Sequence, residues 1–456
     1  MTFIVSLVLA RLLDPSTYGT VALVTVFITI LQVFVDSGMA NALIQKEKVD
    51  DLDFSTVFFF NLGMCIALYV IMFLAAPVIA TFYGIDDLVP IIRVLSIVII
   101  VSGVKNVQQA YVSRNMLFKK FFFSTLGGTL GAALIGIALA YKGFGVWALV
   151  AQHLFNTLID TAILWITVKW RPRFVFSFSR LKVLFNYGWK LLASGLINTI
   201  YTELRQLLIG KLYTTSDLAY YNQGKKIPGY LASNINNAID SVLLPTMSKE
   251  QRYRETVKNM TRRAVKISTY VMMPIMMGIA VCANSLVQLV LSDKWMPCVP
   301  YIQLCCFTYS FYIIHTANLN AIKALGRSDL FLKLEIIKKV VGLSILLFSI
   351  RFGVFVMACF GVIESIISQI INAWPNSKLL KYNYLEQIKD IIPNMLLTVM
   401  MGAIVYSVNF LSLGSVKTLL IQIPLGVIVY IILSITFKID SYYYVLNTIR
   451  NFRNKA

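Results

Sequence analysis

The sequence predicts an all-α fold, a polytopic membrane bundle of about fourteen transmembrane helices. Three observations carry this. The chain is 58% hydrophobic and only 14% charged, whereas soluble domains are about 45–50% apolar and about 25% charged. Its apolar residues fall in long blocks, such as 18–44 and 54–83, and about 20 such residues cross the hydrocarbon as a helix. Its loops alternate between basic and nearly uncharged. A β-barrel would show short alternating strands, and none is visible.

The helices follow in order. The opening 1–13 is apolar but only about half a span, so the first helix reads as truncated; no basic stretch or small-residue cleavage pattern marks it as a signal peptide. The second is expected over 18–44, the third over 54–82, the fourth over 88–112, the fifth over 121–141 and the sixth over 144–168. The seventh is expected over 187–212, the eighth over 218–247, the ninth over 264–291, the tenth over 299–322, the eleventh over 330–350 and the twelfth over 353–380. Two more occupy 388–411 and 416–437.

The net charge is +20, which in a soluble protein would point to nucleic acid. Its placement points to orientation instead. One set of loops carries Lys46 and Lys48; Arg114, Lys119 and Lys120; Lys169, Arg171, Arg173, Arg180 and Lys182; and a long run from Lys249 to Lys266. It ends with Lys438, Arg450, Arg453 and Lys455. The alternate loops carry only Arg11, Lys142, Lys211, Lys294, Arg351 and Lys417. The basic side is cytoplasmic by the positive-inside rule. That places both termini inside the cell and the chain in the inner, cytoplasmic membrane, with no nucleic acid as partner. Six cysteines show no paired or metal-ligand spacing. No metal and no cofactor is expected.

The chain also repeats itself. Leu9-Ala10-Arg11-Leu12 resembles Ile209-Gly210-Lys211-Leu212, and Tyr18 falls opposite Tyr220. Asp36-Ser37 matches Asp240-Ser241, and Lys46-Glu47 matches Lys249-Glu250. Leu117-Phe118-Lys119 resembles the stretch from Leu330 to Lys333, and Phe144-Gly145-Val146-Trp147 resembles Phe352-Gly353-Val354-Phe355. The offset stays at roughly 200–213 residues. A repeat of six helices keeps both halves in one orientation, related by a pseudo-twofold axis along the membrane normal. The expected organisation is an N-lobe at 1–170, a C-lobe at 171–382, and two extra helices with a tail at 383–456.

Two parallel six-helix lobes plus two helices resemble the MOP exporter superfamily, which includes MATE drug exporters, lipid II flippases and Wzx-type polysaccharide flippases. Local features resemble the last group most: the segment from Val8 to Gly19, the pair Leu208–Leu212 and Leu218–Tyr221, and Leu244-Pro245 before Lys249. The resemblance covers the chain from Thr2 to about Tyr382. It implies a non-enzymatic flippase that moves an undecaprenyl-diphosphate-linked oligosaccharide across the bilayer by alternating access and supplies polysaccharide polymerase machinery. Lipid II flippases place arginine in the first helix; here 2–10 has no charge, which moves the cation role to later helices.

Charges inside a membrane are costly and mark function. Arg205 on the seventh helix, with Lys225 and Lys226 on the eighth, forms the expected diphosphate-binding group. Pro228-Gly229 beside it is expected to loosen the helix. Lys105, with Gln108 and Gln109, forms a second polar patch and a fourth candidate cation. Asp36 and Asp240 are candidate gates that pair with basic partners; Glu203 and Glu364 are further gating or coupling candidates. His153 and His315 read as packed residues, with Asp160 two turns after His153 the one hint of a relay. The aromatic runs at 58–60, 121–123 and 442–444 read as packing or interfacial belts.

Two other classes compete. A MATE-like exporter of organic cations wants acids deep in the core, and Glu203, Asp160 and Glu364 are the candidates. A membrane-embedded glycan polymerase or glycosyltransferase wants a carboxylate base or metal–sugar site and sizeable loops, and the sequence shows neither.

Overall fold

The computed structural model describes residues 2–36, 38–411 and 413–453. Ser37 and Lys455, used above in the repeat and the charge pattern, lie outside them. Among the described residues the chain is helical apart from turns and one longer connection at 168–177, and it has no strands. It divides into two compact units, Met1–Ala219 and Tyr220–Ala456.

The first unit holds α1 (Thr2–Leu12), α2 (Pro15–Asp36), α3 (Met39–Gln45), α4 (Asp51–Tyr83), α5 (Leu88–Leu95), α6 (Ile97–Arg114), α7 (Phe118–Tyr141), α8 (Val146–Thr167) and α9 (Phe178–Leu212). α10 (Thr215–Lys249) opens at its end and runs into the second unit. There follow α11 (Arg254–Val290), a 3-10 turn (Asp293–Cys298), α12 (Val299–Ser310), α13 (Tyr312–Ala324), α14 (Ser328–Ser349), α15 (Val354–Leu379), α16 (Tyr384–Ser407), α17 (Ser415–Thr436) and α18 (Asp440–Arg453). Every expected span is present as helix. The second, fourth and tenth, expected to be continuous, are each broken: at Gly38, Ser96 and Phe311.

The break at Gly38 has a steric cause. Its φ is 66°, and a Cβ there would stand 2.6 Å from the Gly188 carbonyl oxygen on α9. Only glycine accepts both conditions. Pro228-Gly229, by contrast, sits inside an uninterrupted α10.

In the first unit α7 packs along α8. Gly128 and Gly136 let the backbones approach: a Cβ on Gly128 would lie 2.9 Å from the Asn156 carbonyl, and one on Gly136 2.9 Å from Gln152. Small residues serve this purpose in membranes, where burial from water gives helices no reason to associate. The end of α3 is closed from a distance. The Arg114 guanidinium, on α6, donates to the carbonyls of Leu43, Ile44, Lys46 and Glu47 at 2.7–3.0 Å.

The long connection before α9 is fastened to the start of α4. Trp170 packs among Phe54, Phe58 and Tyr111. The backbone N–H of Arg173 donates to Ser55 Oγ, and that of Ser177 to Thr56 Oγ1. Asp53 is fully buried and accepts Lys46 Nζ at 2.6 Å and Arg180 Nη1 at 3.4 Å. Asp50 caps α4, reciprocally with Asp53. The Asp53 backbone N–H, and then Arg180, hold the Asp50 carboxyl below its ordinary range.

The second unit carries a counterpart with the signs exchanged. Arg262 on α11 donates Nε and Nη2 to the two oxygens of Asp390 on α16, both at 2.7 Å. Lys266 Nζ stands 3.3 Å away, and the Tyr382 hydroxyl donates to Asp390 at 2.9 Å. Arg262 and Asp390 lie roughly 210 residues beyond Asp53 and Arg180 respectively. In each unit the helix after the sixth is thus ion-paired to the third. α17 joins the same wall: the Tyr430 hydroxyl donates to the Tyr270 carbonyl at 2.8 Å, and Tyr270 and Ser434 share a hydrogen bond.

The bidentate pair is the stronger latch, since a planar fork on a carboxylate adds both energy and direction. Asp390→Asn is expected to cost about 1–3 kcal/mol, read as a lower apparent melting temperature of the detergent-solubilised protein. Arg262→Lys should lower it less. Wild-type stability of Asp390→Asn would show that the pair holds nothing.

Candidate functional site

Ten helical spans among the described residues are long and apolar enough to cross a membrane. α9, α10 and α14 have the length, yet their polar content keeps them out of that set. These three helices carry most of the charge that cannot be assigned to loops.

On α9, Arg205 is half-buried, and Glu203 accepts a hydrogen bond from Gln206. The Glu203–Gln206 spacing of one turn suits such a bond, as the two-residue step to Arg205 does not. On α10, Lys225 and Lys226 both have exposed side chains. Gln223 beside them is buried, and its Nε2 lacks a partner. Arg205 belongs to the first unit, and the two lysines to the second.

Lys105 has a more definite setting. Its Nζ stands 3.0 Å from Asp160 Oδ2, joining α6 to α8, with both side chains largely buried. Gln108 donates to the Trp170 carbonyl at 3.1 Å. The fourth candidate cation is therefore neutralised within its own unit, and Asp160, the one hint of a histidine relay, is engaged by lysine.

Asp36 and Asp240 each accept a hydrogen bond from an amide, and Lys105 also acts electrostatically on Asp36. Asn106 Nδ2 on α6 donates to Asp36 at 3.4 Å, and Asn320 Nδ2 on α13 donates to Asp240 at 2.7 Å. The helix ends refine the repeat. α1 and α9 end at Leu12 and Leu212, and α6 and α13 at Arg114 and Ala324. On that register Asp36 aligns with Asn236, and Asn106 with Thr316. Thr316 Oγ1 does donate to Asn236 Oδ1, at 2.6 Å. Each unit thus bridges the same two helices at the same level, and Asp240–Asn320 is a further rung one turn along.

Glu364 is half-buried on α15, and Gln369 accepts the Tyr384 hydroxyl at 3.3 Å. The sequence reading missed two groups. One is the Arg262–Asp390 latch, hidden because α11 and α16 extend about a turn or more beyond their apolar stretches. The other is Glu335 with Lys338 on α14, 2.5 Å apart; the signal was present, as charges in the middle of an expected span. No group of His, Cys, Asp and Glu among the described residues is arranged to hold a metal ion.

Comparison with known proteins places this architecture. Residues 8–300 match the family model described as polysaccharide biosynthesis protein. The chain is 25% identical over 418 residues to the teichuronic acid biosynthesis protein TuaB of Bacillus subtilis, covering 88% of this chain and 85% of that one. It is 25% identical over 296 residues to the succinoglycan biosynthesis transport protein ExoT of Rhizobium meliloti, covering 65% and 60%. The solved structure of the lipid II flippase MurJ, in an inward closed conformation, superposes with a TM-score of 0.79 at 15% identity, over 96% of this chain and 97% of that one. The multi-pass helical fold expected from the sequence is the fold found, and the chain belongs to the polysaccharide biosynthesis protein family.

Proposed function

We propose that the protein is a flippase. It carries a lipid-linked oligosaccharide, with undecaprenyl diphosphate as the carrier, from the inner to the outer leaflet and delivers it to polysaccharide polymerase machinery. The observation that supports this best is the family match over 8–300 on a fold shared with a flippase. It works by alternating access between two six-helix lobes, 1–170 and 171–382, with 383–456 packed beside the second, and it makes and breaks no covalent bonds. It lies in the inner membrane with both termini in the cytoplasm.

In this reading α9 and α10 supply the polar wall that a hydrated glycan needs. Arg205, Lys225 and Lys226 meet the diphosphate, whose charge and acceptor oxygens suit one guanidinium and two ammonium groups. Lys105 contributes through its pairing with Asp160, and Asp36, Asp240, Glu203 and Glu364 adjust the gates. An exporter of organic cations would need acids left open to its cargo, and of the three candidates for that role Asp160 is neutralised by Lys105.

Arg205→Ala should abolish glycan export while the protein stays in the membrane, and Arg205→Lys should restore it in part. Normal complementation of a flippase-deficient strain by the triple Arg205→Ala, Lys225→Ala, Lys226→Ala variant, at equal expression, would refute the assignment.

Lys105→Ala leaves a buried carboxylate unpaired, which typically costs about 3–5 kcal/mol. The double variant with Asp160→Ala should recover much of the lost stability, measured by thermal unfolding in detergent. Export that stays lost in this stable double variant would mean Lys105 also serves transport; recovery of both would reduce it to packing.

Cysteines introduced at Arg450 and in the 213–217 turn test the topology. A membrane-impermeant thiol reagent should label the turn in intact cells and leave the C-terminal site untouched. Labelling of position 450 from outside would reverse the assigned orientation.

A further inference from the structure

The middle of α14 holds charges that neither the latches nor the candidate cation group uses. Glu335 Oε1 and Lys338 Nζ are 2.5 Å apart, with side chains 32% and 16% exposed. They stand about 10–15 Å from the start of α14 at 1.5 Å per residue, deep in a span where ionised groups are retained for function. α13 and α15 pack against α14 and bring His315 and Asn372.

Asn372 Nδ2 is 2.9 Å from His315 Nδ1. A carboxamide nitrogen only donates, so in this arrangement Nδ1 accepts, and a neutral ring carries its proton on Nε2. Asn372 is fully buried, and its Oδ1 has no partner. Turning the carboxamide over would present that oxygen to an Nδ1–H. The same side chain therefore offers a donor to the neutral ring and an acceptor to the protonated one.

Lys338 lies on α14, which packs against the α13 that carries His315, and Glu335 is paired with it. The other ionisable groups of these helices are Tyr312, whose ring lies 5.9 Å from that of His315, Lys339 beside Lys338, Cys359 and Glu364 on α15, and Lys323, Asp329, Lys333 and Lys378 toward one end. Lys323 lies over the Phe331 ring.

We propose that His315, with Asn372 and the Lys338–Glu335 pair, is a proton-binding site of the second unit. A proton from the aqueous phase adds to Nδ1, the Asn372 carboxamide turns from donor to acceptor, and release reverses both changes. Its use in driving transport rests on the flippase reading; its proton binding does not.

The chain has two histidines, so His153→Asn leaves His315 alone. Full-length His153→Asn protein, labelled with 15N-histidine and held in lipid nanodiscs, can be titrated by NMR. The ring should gain one proton at Nδ1 in a single step. Lys338→Gln should move the midpoint up by about one pH unit and Glu335→Gln should move it down, since each removes one neighbouring charge. A ring that never titrates between about pH 4 and 9, or a midpoint identical in all three proteins, would overturn the proposal.

In cells, His315→Asn is expected to make glycan export independent of external pH. A titrating His315 in a protein that exports normally without Arg205 would leave the proton site standing and the flippase site wrong. A silent ring in a protein that needs Arg205 would be the reverse.

Discussion

Two buried carboxylates organise this molecule. Asp53 and Asp390 each lie where one unit's third helix meets the helix that follows its sixth, and each is neutralised by two basic side chains. A carboxylate so placed tolerates little movement, because losing a partner would leave a charge in a medium that solvates it poorly. The remaining packing is arranged around that requirement. Trp170 and the connection before α9 close over Asp53, and Tyr382 closes over Asp390. In one unit the third helix supplies the carboxylate and in the other the helix after the sixth does, so either helix can carry the acid.

Much of this was legible beforehand. Apolar runs of membrane-spanning length located every expected helix, because the hydrocarbon imposes length and composition together. The breaks within helices were not legible. Gly38 looks like any glycine until Gly188 is seen against it, and Ser96 and Phe311 carry no signature at all. The candidate site divided in the same way. Charges inside expected spans stood out, and Arg205, Lys225, Lys226 and Lys105 were singled out as candidates that way. Their partners were not visible, since Lys105 and Asp160 are far apart in sequence and meet only through the packing of α6 on α8. The Asp36 and Asp240 pairing was legible too, but the amides they accept from, Asn106 and Asn320, lie 70 and 80 residues along the chain.

α9, α10 and α14 lack the hydropathy that the ten apolar spans have, and each carries basic side chains away from its ends. The rungs from Asp36 to Asn106, from Asn236 to Thr316 and from Asp240 to Asn320 tie the second helix of each half to its fourth through neutral donors. The donor in each rung is an uncharged amide or hydroxyl, so the helices are tied without a basic side chain in the bond.

The guanidinium of Arg114 has a consequence for the order in which the protein is made. Four carbonyls at the end of α3 depend on a side chain synthesised about 70 residues later. Until the span made of α5 and α6 has entered the bilayer, those carbonyls have only water or headgroups to satisfy them, so α3 is free to fray while α4 inserts. Arrival of Arg114 then fixes the stretch in one step. A lysine at that position would bring a single ammonium to four acceptors and leave the end of α3 loosely closed, and the defect would be felt during assembly before it was felt in the finished protein.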